Sequence, residues 1–83
     1  MKIAIVGGAG KMGKWIARFL IAENFSVSLI DTDNERLRTA MRELNVEGTN
    51  KLINAGKADC VIISVPIAVF EQTAKDLGLY LRR

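Results

Sequence analysis

Eighty-three residues allow one domain, and at that length folding buries only about 60% of the unfolded chain's surface, so the core must be small. Hydrophobic residues at 49% with charged residues at 25% exclude a disordered chain, and no apolar run approaches the ~20 residues of a membrane span. The net charge of +3 comes from scattered bases, including Arg82 and Arg83 in a polar tail, and without a basic stripe or base-stacking aromatics it argues against a nucleic-acid binder.

Met1-Lys2 is followed at once by the apolar run Ile3 to Val6, which is neither a signal nor a transit peptide and points to the cytoplasm. That run reads as a strand and leads into Gly7-Gly8-Ala9-Gly10-Lys11-Met12-Gly13. Gly8, Gly10 and Gly13 fit G-x-G-x-x-G in the strand-then-helix setting that gives the pattern its meaning. Gly8 is expected to make the tight turn, Gly10 to clear the approach of a pyrophosphate, and Gly13 to let the helix pack closely. The unpaired N–H groups of the helix start would then face the phosphates, with no metal needed. Gly8, Gly13 and Lys14 also fit G-x-x-x-x-G-K, but Trp15 stands where a P-loop needs Ser or Thr to hold magnesium.

Met12, Trp15, Ile16, Phe19 and Leu20 recur at helical spacing, a stripe expected to cover a sheet, with Lys11, Lys14 and Arg18 largely off it. After Asn24, the β-formers of Ser26 to Ile30 end at Asp31, about 20 positions beyond the glycines, where the fingerprint expects an acid for the adenosine ribose. Thr32-Asp33-Asn34-Glu35 has the form of a capping box, and Leu37, Ala40, Met41 and Leu44 carry a second helix. Val46 to Thr49 leaves room for a short third strand, followed by a helical turn or two through Leu52 and Ile53 that stops near Gly56. Residues 60–65, Cys60 to Val65, form an unbroken apolar run expected of a parallel strand buried on both faces, ended by Pro66. The single cysteine excludes an internal disulfide; Cys60 inside that strand reads as a small hydrophobe, and the chain has no histidine to activate it. A last helix follows with Phe70, Ala74, Leu77 and Leu81 on one side and Gly78 weakening its final turn.

This alternation implies an α/β fold, a Rossmann-type parallel sheet of about four strands in the order 3-2-1-4 with flanking helices, one half of a doubly wound domain spanning residues 1–83. Such an order places a cofactor crevice at the C-terminal ends of strands 1 and 4, with the glycines at one edge and Ser64-Val65-Pro66 at the other. Asp31 accepts hydrogen bonds from ribose hydroxyls and repels a 2′-phosphate, while Arg36 partly offsets that repulsion, so NAD is favoured and NADP is possible. With no strand beyond it, the run 60–65 would be an exposed apolar edge, and self-association is expected.

The opening from Met1 through Lys14-Trp15, with Phe19 one turn on, resembles the N-terminus of archaeal-type prephenate dehydrogenases, the TyrA family of tyrosine biosynthesis. Similarity continues through Asp31 and Ile63-Ser64-Val65-Pro66-Ile67 and so covers essentially the whole chain. The resemblance implies oxidative decarboxylation of prephenate with NAD or NADP by a larger enzyme of which this chain matches the cofactor domain. It places Gly8, Gly10, Lys11, Met12 and Gly13 on the pyrophosphate, Asp31 on the adenosine ribose, and Ser64, Val65 and Pro66 near the cofactor's middle and nicotinamide ribose. A similar opening occurs in F420-dependent NADP reductases, but Met12 and Trp15 favour the first family. Enzymes of that family use a histidine on the substrate hydroxyl and arginines from a following helical domain. Because no histidine exists here, the chain is expected to bind cofactor without turnover, since loss of a general base costs roughly 10²–10⁴ in rate. It would then be a cofactor domain separated from its catalytic domain, completed by that domain or by a second copy, or else a non-catalytic NAD(H)-binding module.

Overall fold

A computed structural model describes residues 1–81; Arg82 and Arg83, read as a polar tail, lie outside them. Four parallel strands, β1 (Lys2–Val6), β2 (Ser26–Ile30), β3 (Glu47–Thr49) and β4 (Cys60–Ile63), form one sheet in the order β3-β2-β1-β4, as the alternation predicts. Helices α1 (Lys11–Ala22) and α2 (Asn34–Leu44) link the first three strands, a 3₁₀ segment at Leu52–Lys57 precedes β4, and α3 (Ile67–Gly78) follows it.

The central strand explains the continuous apolar pattern. Ile3 and Ile5 of β1 face α1 and α2 together with Val27, Leu29, Ala17, Leu37 and Ala40, whereas Ala4 and Val6 face the 3₁₀ segment and α3 with Ile30, Ala55 and Leu77. Both faces are covered, so alternation disappears. Register is set by these two apolar rows: Lys2 to Val6 pair with Ser26 to Ile30, and Ile3 to Val6 with Cys60 to Ile63.

Helix ends follow local chemistry. Helix α1 stops where Asn24 turns left-handed (φ 69°), with the Phe25 N–H donating to the Leu20 carbonyl and the Asn24 N–H to Ile21, the paired bonds of a Schellman motif. Helix α2 also ends at a left-handed asparagine, Asn45 (φ 55°), where the Asn45 and Val46 N–H groups both donate to the Met41 carbonyl. Its start lies one residue later than the capping-box pattern suggests: Asp33, not Thr32, is the cap, and its carboxylate accepts from the Arg36 N–H at 3.1 Å. Among the described residues no helix is long and apolar enough to cross a membrane.

Four expectations need correction. Met12, Trp15 and Phe19 do not cover the sheet; they are 62%, 64% and 59% exposed, and the surface of α1 against the sheet consists of Gly13 and Ala17, flanked by Ile16, Leu20 and Ile21. Strand β4 ends at Ile63, and it is half-buried, because among the described residues it forms the edge of the sheet with no strand beyond it. Cys60, at the start of that edge strand, is exposed and not an interior hydrophobe. Leu81 falls past the end of α3 and is 41% exposed, while Leu77 supplies the buried contact.

Candidate functional site

Beyond the C-terminal end of β1 the chain turns through Gly7 to Gly10 into α1, and the glycines divide the work differently from the sequence expectation. The turn out of β1 is made by Gly7, whose φ is +84°, and a Cβ there would collide with the Ser64 carbonyl. Gly8 is held by packing: a Cβ would stand 2.7 Å from the Leu29 side chain and 2.9 Å from the Ile5 carbonyl oxygen. Gly13 faces the turn itself, where a Cβ would run into the Gly7 carbonyl and stand 2.8 Å from Gly8 Cα. Gly10 alone opens outward, its nearest side-chain neighbour being the tip of the Arg36 guanidinium at 3.1 Å from a Cβ position. The Gly7-Gly8 doublet was the signal for the first role, because a turn needing positive φ falls on the first glycine after the strand.

The Gly7 and Gly8 N–H groups donate to the Ile30 carbonyl at 2.7 and 3.3 Å, and the Gly10 N–H donates to Gly7 at 3.2 Å. The Ala9 N–H donates to Asp31 Oδ2 at 3.1 Å. The next three amides, of Lys11, Met12 and Gly13, form the first turn of α1 and have no acceptor among the described residues. Three bare donors at the positive end of a helix make a site for an anion.

These donors open onto a cleft of about 930 Å³. It is lined on the glycine side by Gly7, Gly10, Lys11, Met12 and Gly13, on the β2 side by Asp31 and Arg36, and across β4 by Ser64, Val65 and Pro66. Of the residues singled out in the sequence, only Gly8 does not line the cleft; it lies beneath, against Leu29. Segments from both ends of the chain converge because Ser64 continues β4 along β1, its N–H donating to the Val6 carbonyl at 2.7 Å. Asn50 and Thr73, which no motif signalled, complete the walls. Arg36 has no carboxylate partner among the described residues, and its guanidinium stands over Gly10. The site therefore presents three amides and two basic residues, Lys11 and Arg36, to an anion, with the carboxylates of Asp31, Asp33 and Asp76 elsewhere on the walls.

A family model described as "NADP oxidoreductase coenzyme F420-dependent" matches residues 2–82. Among curated proteins, the chain is similar to a probable arogenate/prephenate dehydrogenase of Methanocaldococcus jannaschii, 40% identical over 83 residues, covering 99% of this chain and 19% of the relative. The T-protein of Haemophilus influenzae is 34% identical over 80 residues, covering 96% of this chain and 18% of its own length. The chain thus spans about a fifth of the length of these relatives. A solved structure of the UDP-N-acetylglucosamine 3-dehydrogenase GnnA from Acidithiobacillus ferrooxidans superposes with a TM-score of 0.81 at 19% identity, over 98% of this chain and 27% of that one, and shares the fold. The resemblance to archaeal prephenate dehydrogenases read from the opening residues agrees with the first of these likenesses.

Proposed function

The chain belongs to the family of coenzyme F420-dependent NADP oxidoreductases, a nucleotide-binding Rossmann-type domain of dehydrogenases, and from that premise we propose that its cleft binds NAD in preference to NADP as the cofactor domain of a prephenate dehydrogenase. The observation that carries the reading is the trio of unpaired amides at Lys11, Met12 and Gly13, facing a cleft that Gly10 leaves open. A pyrophosphate accepts from those amides and from Arg36, the adenosine ribose reaches Asp31, and the nicotinamide half runs along Ser64, Val65 and Pro66. Once bound, the nicotinamide supplies the hydride acceptor; the chain's own residues hold and orient it. NAD is preferred because a 2′-phosphate would bring its negative charge against the Asp31 carboxylate.

Substrate chemistry requires groups that this sequence does not contain, as it has no histidine. We assign them to a complementary catalytic domain of the kind that accounts for the greater length of the relatives. Its docking surface is the exposed Met12, Trp15 and Phe19 face of α1 together with the uncharged edge of β4. A second reading, F420-dependent reduction of NADP, is favoured by one feature, the unpaired Arg36 guanidinium in the cleft. Calorimetric titration of NAD and NADP into the 83-residue chain tests the proposal. NAD should bind more tightly; tighter NADP binding would favour the second reading, and no binding of either would end both.

A further inference from the structure

We infer that Asp31 is a positioning residue as well as a ribose ligand: its carboxylate braces the glycine turn against the head of α2 and so holds the phosphate cradle in shape before any nucleotide arrives. The inference rests on the dinucleotide reading above and concerns how that same site is built.

The two carboxylate oxygens are directed to different segments. Oδ2 accepts from the Ala9 N–H at 3.1 Å, across 22 positions of sequence, and Oδ1 accepts from the Asp33 N–H at 3.0 Å. Asp33 in turn caps α2 by accepting from the Arg36 N–H at 3.1 Å. One continuous set of bonds therefore runs from the glycine turn through Asp31 and Asp33 to the residue whose guanidinium stands over Gly10. Both sides of the phosphate site are tied to a single side chain.

The brace matters because of where Ala9 lies. Ala9 is only 5% exposed and packs in the core facing α1 and α2, so its N–H has little access to water if its acceptor is removed. Every other amide from Gly7 to Gly10 is fixed by a backbone carbonyl, and the Ala9 amide alone is fixed by a side chain. Removing the carboxylate frees the middle of the turn, directly ahead of the three amides that face the cleft. A carboxylate has about four lone-pair positions, so two remain for ribose hydroxyls while the two backbone bonds persist. Bracing and ribose recognition are therefore compatible, and a suitable ligand separates them.

That ligand is 2′,3′-dideoxy-ADP, which keeps the diphosphate and lacks both ribose hydroxyls. Calorimetry of ADP and dideoxy-ADP with the wild-type chain and the Asp31→Ala and Asp31→Asn variants is paired with amide hydrogen exchange of the unliganded proteins. Asp31→Ala should weaken dideoxy-ADP about tenfold or more and accelerate Ala9 exchange by a similar factor, leaving the Ile5 and Leu29 amides protected. Asp31→Asn, which keeps one acceptor oxygen, should lie between, and it carries the test if Asp31→Ala fails to fold. Loss of ADP affinity with dideoxy-ADP binding and Ala9 exchange within about twofold of wild type would overturn the brace and leave a ribose ligand only. Failure of the wild-type chain to bind either nucleotide would overturn the dinucleotide reading, whereas unchanged Ala9 exchange in the variants would overturn the brace by itself.

Discussion

Replacing Gly13 by alanine tests the close approach on which the site depends, with Gly78→Ala as its internal control. A Cβ on Gly13 meets backbone alone: the Gly7 carbonyl, Gly8 Cα at 2.8 Å and Gly8 C at 3.0 Å. Nothing there can rotate away, so α1 must lift off the turn, and overpacking of this kind costs about 1–3 kcal/mol. Alanine's better helix propensity returns up to about 1 kcal/mol, which leaves a net loss of roughly 1–2 kcal/mol because rigid partners put the clash in the upper half of its range. Against the roughly 4–12 kcal/mol expected of an 83-residue domain, that is a drop in Tm of about 5–15 °C. The same movement displaces the amides of Lys11 to Gly13, and ADP affinity should fall about tenfold or more. At Gly78, the last residue of α3, a Cβ would find no atom within 4 Å and φ is not positive, so alanine should raise Tm by a few degrees, corresponding to about 0.5–1 kcal/mol. Thermal melts followed by circular dichroism and calorimetry with ADP measure both effects. A Gly13→Ala protein that melts at or above wild type with full ADP affinity would refute the packing argument.

Arg36→Ala removes the cation over Gly10 and should weaken NADP more than NAD in side-by-side titrations, since the 2′-phosphate has the greater need of a positive partner beside Asp31. Asp33→Ala removes the cap of α2 and should lower stability by about 1 kcal/mol in urea unfolding, with an unchanged m-value. Trp15→Lys and Ile62→Lys should reduce self-association in sedimentation velocity; Trp15→Lys should leave Tm nearly unchanged because the indole is 64% exposed.

Much of the fold was legible because its signals are local or periodic. The strand-glycine-helix order around Gly8, Gly10 and Gly13, the β-formers ending at Asp31, and the apolar run from Cys60 each correspond to one element, and the handedness of parallel crossovers leaves few ways to arrange them. The cleft was legible for the same reason, since strand order alone brings Ser64 to the glycine turn. What a pattern does not encode is direction at single-residue resolution. Thr32 and Asp33 are both competent caps, and only the Asp31 carboxylate, by accepting from the Asp33 N–H, selects the second. The brace on Ala9 left no mark in the sequence, because it joins positions 22 apart through a residue already explained by another role.

The misplaced stripe on α1 has a deeper cause. Periodicity ranks positions by hydrophobicity, so it chose Met12, Trp15 and Phe19; the glycine turn requires the opposite property, smallness, at the contact. Gly13 and Ala17, one helical turn apart, let α1 approach the turn and sheet, while the Lys14–Glu43 pair at 3.1 Å ties a neighbouring side of the helix to α2. Ile16, Leu20 and Ile21 flank that contact, and Met12, Trp15 and Phe19 are left on the side turned from both. The order β3-β2-β1-β4 puts that side toward β4, where Ile62, on the same face of the sheet, is half-buried and Cys60 is exposed. Close packing at the cofactor site and an uncovered apolar face beside it are therefore two results of one constraint. Covering that face should stabilise the chain, and because Met12 lies both on it and at the phosphate cradle, whatever docks there would border the cleft.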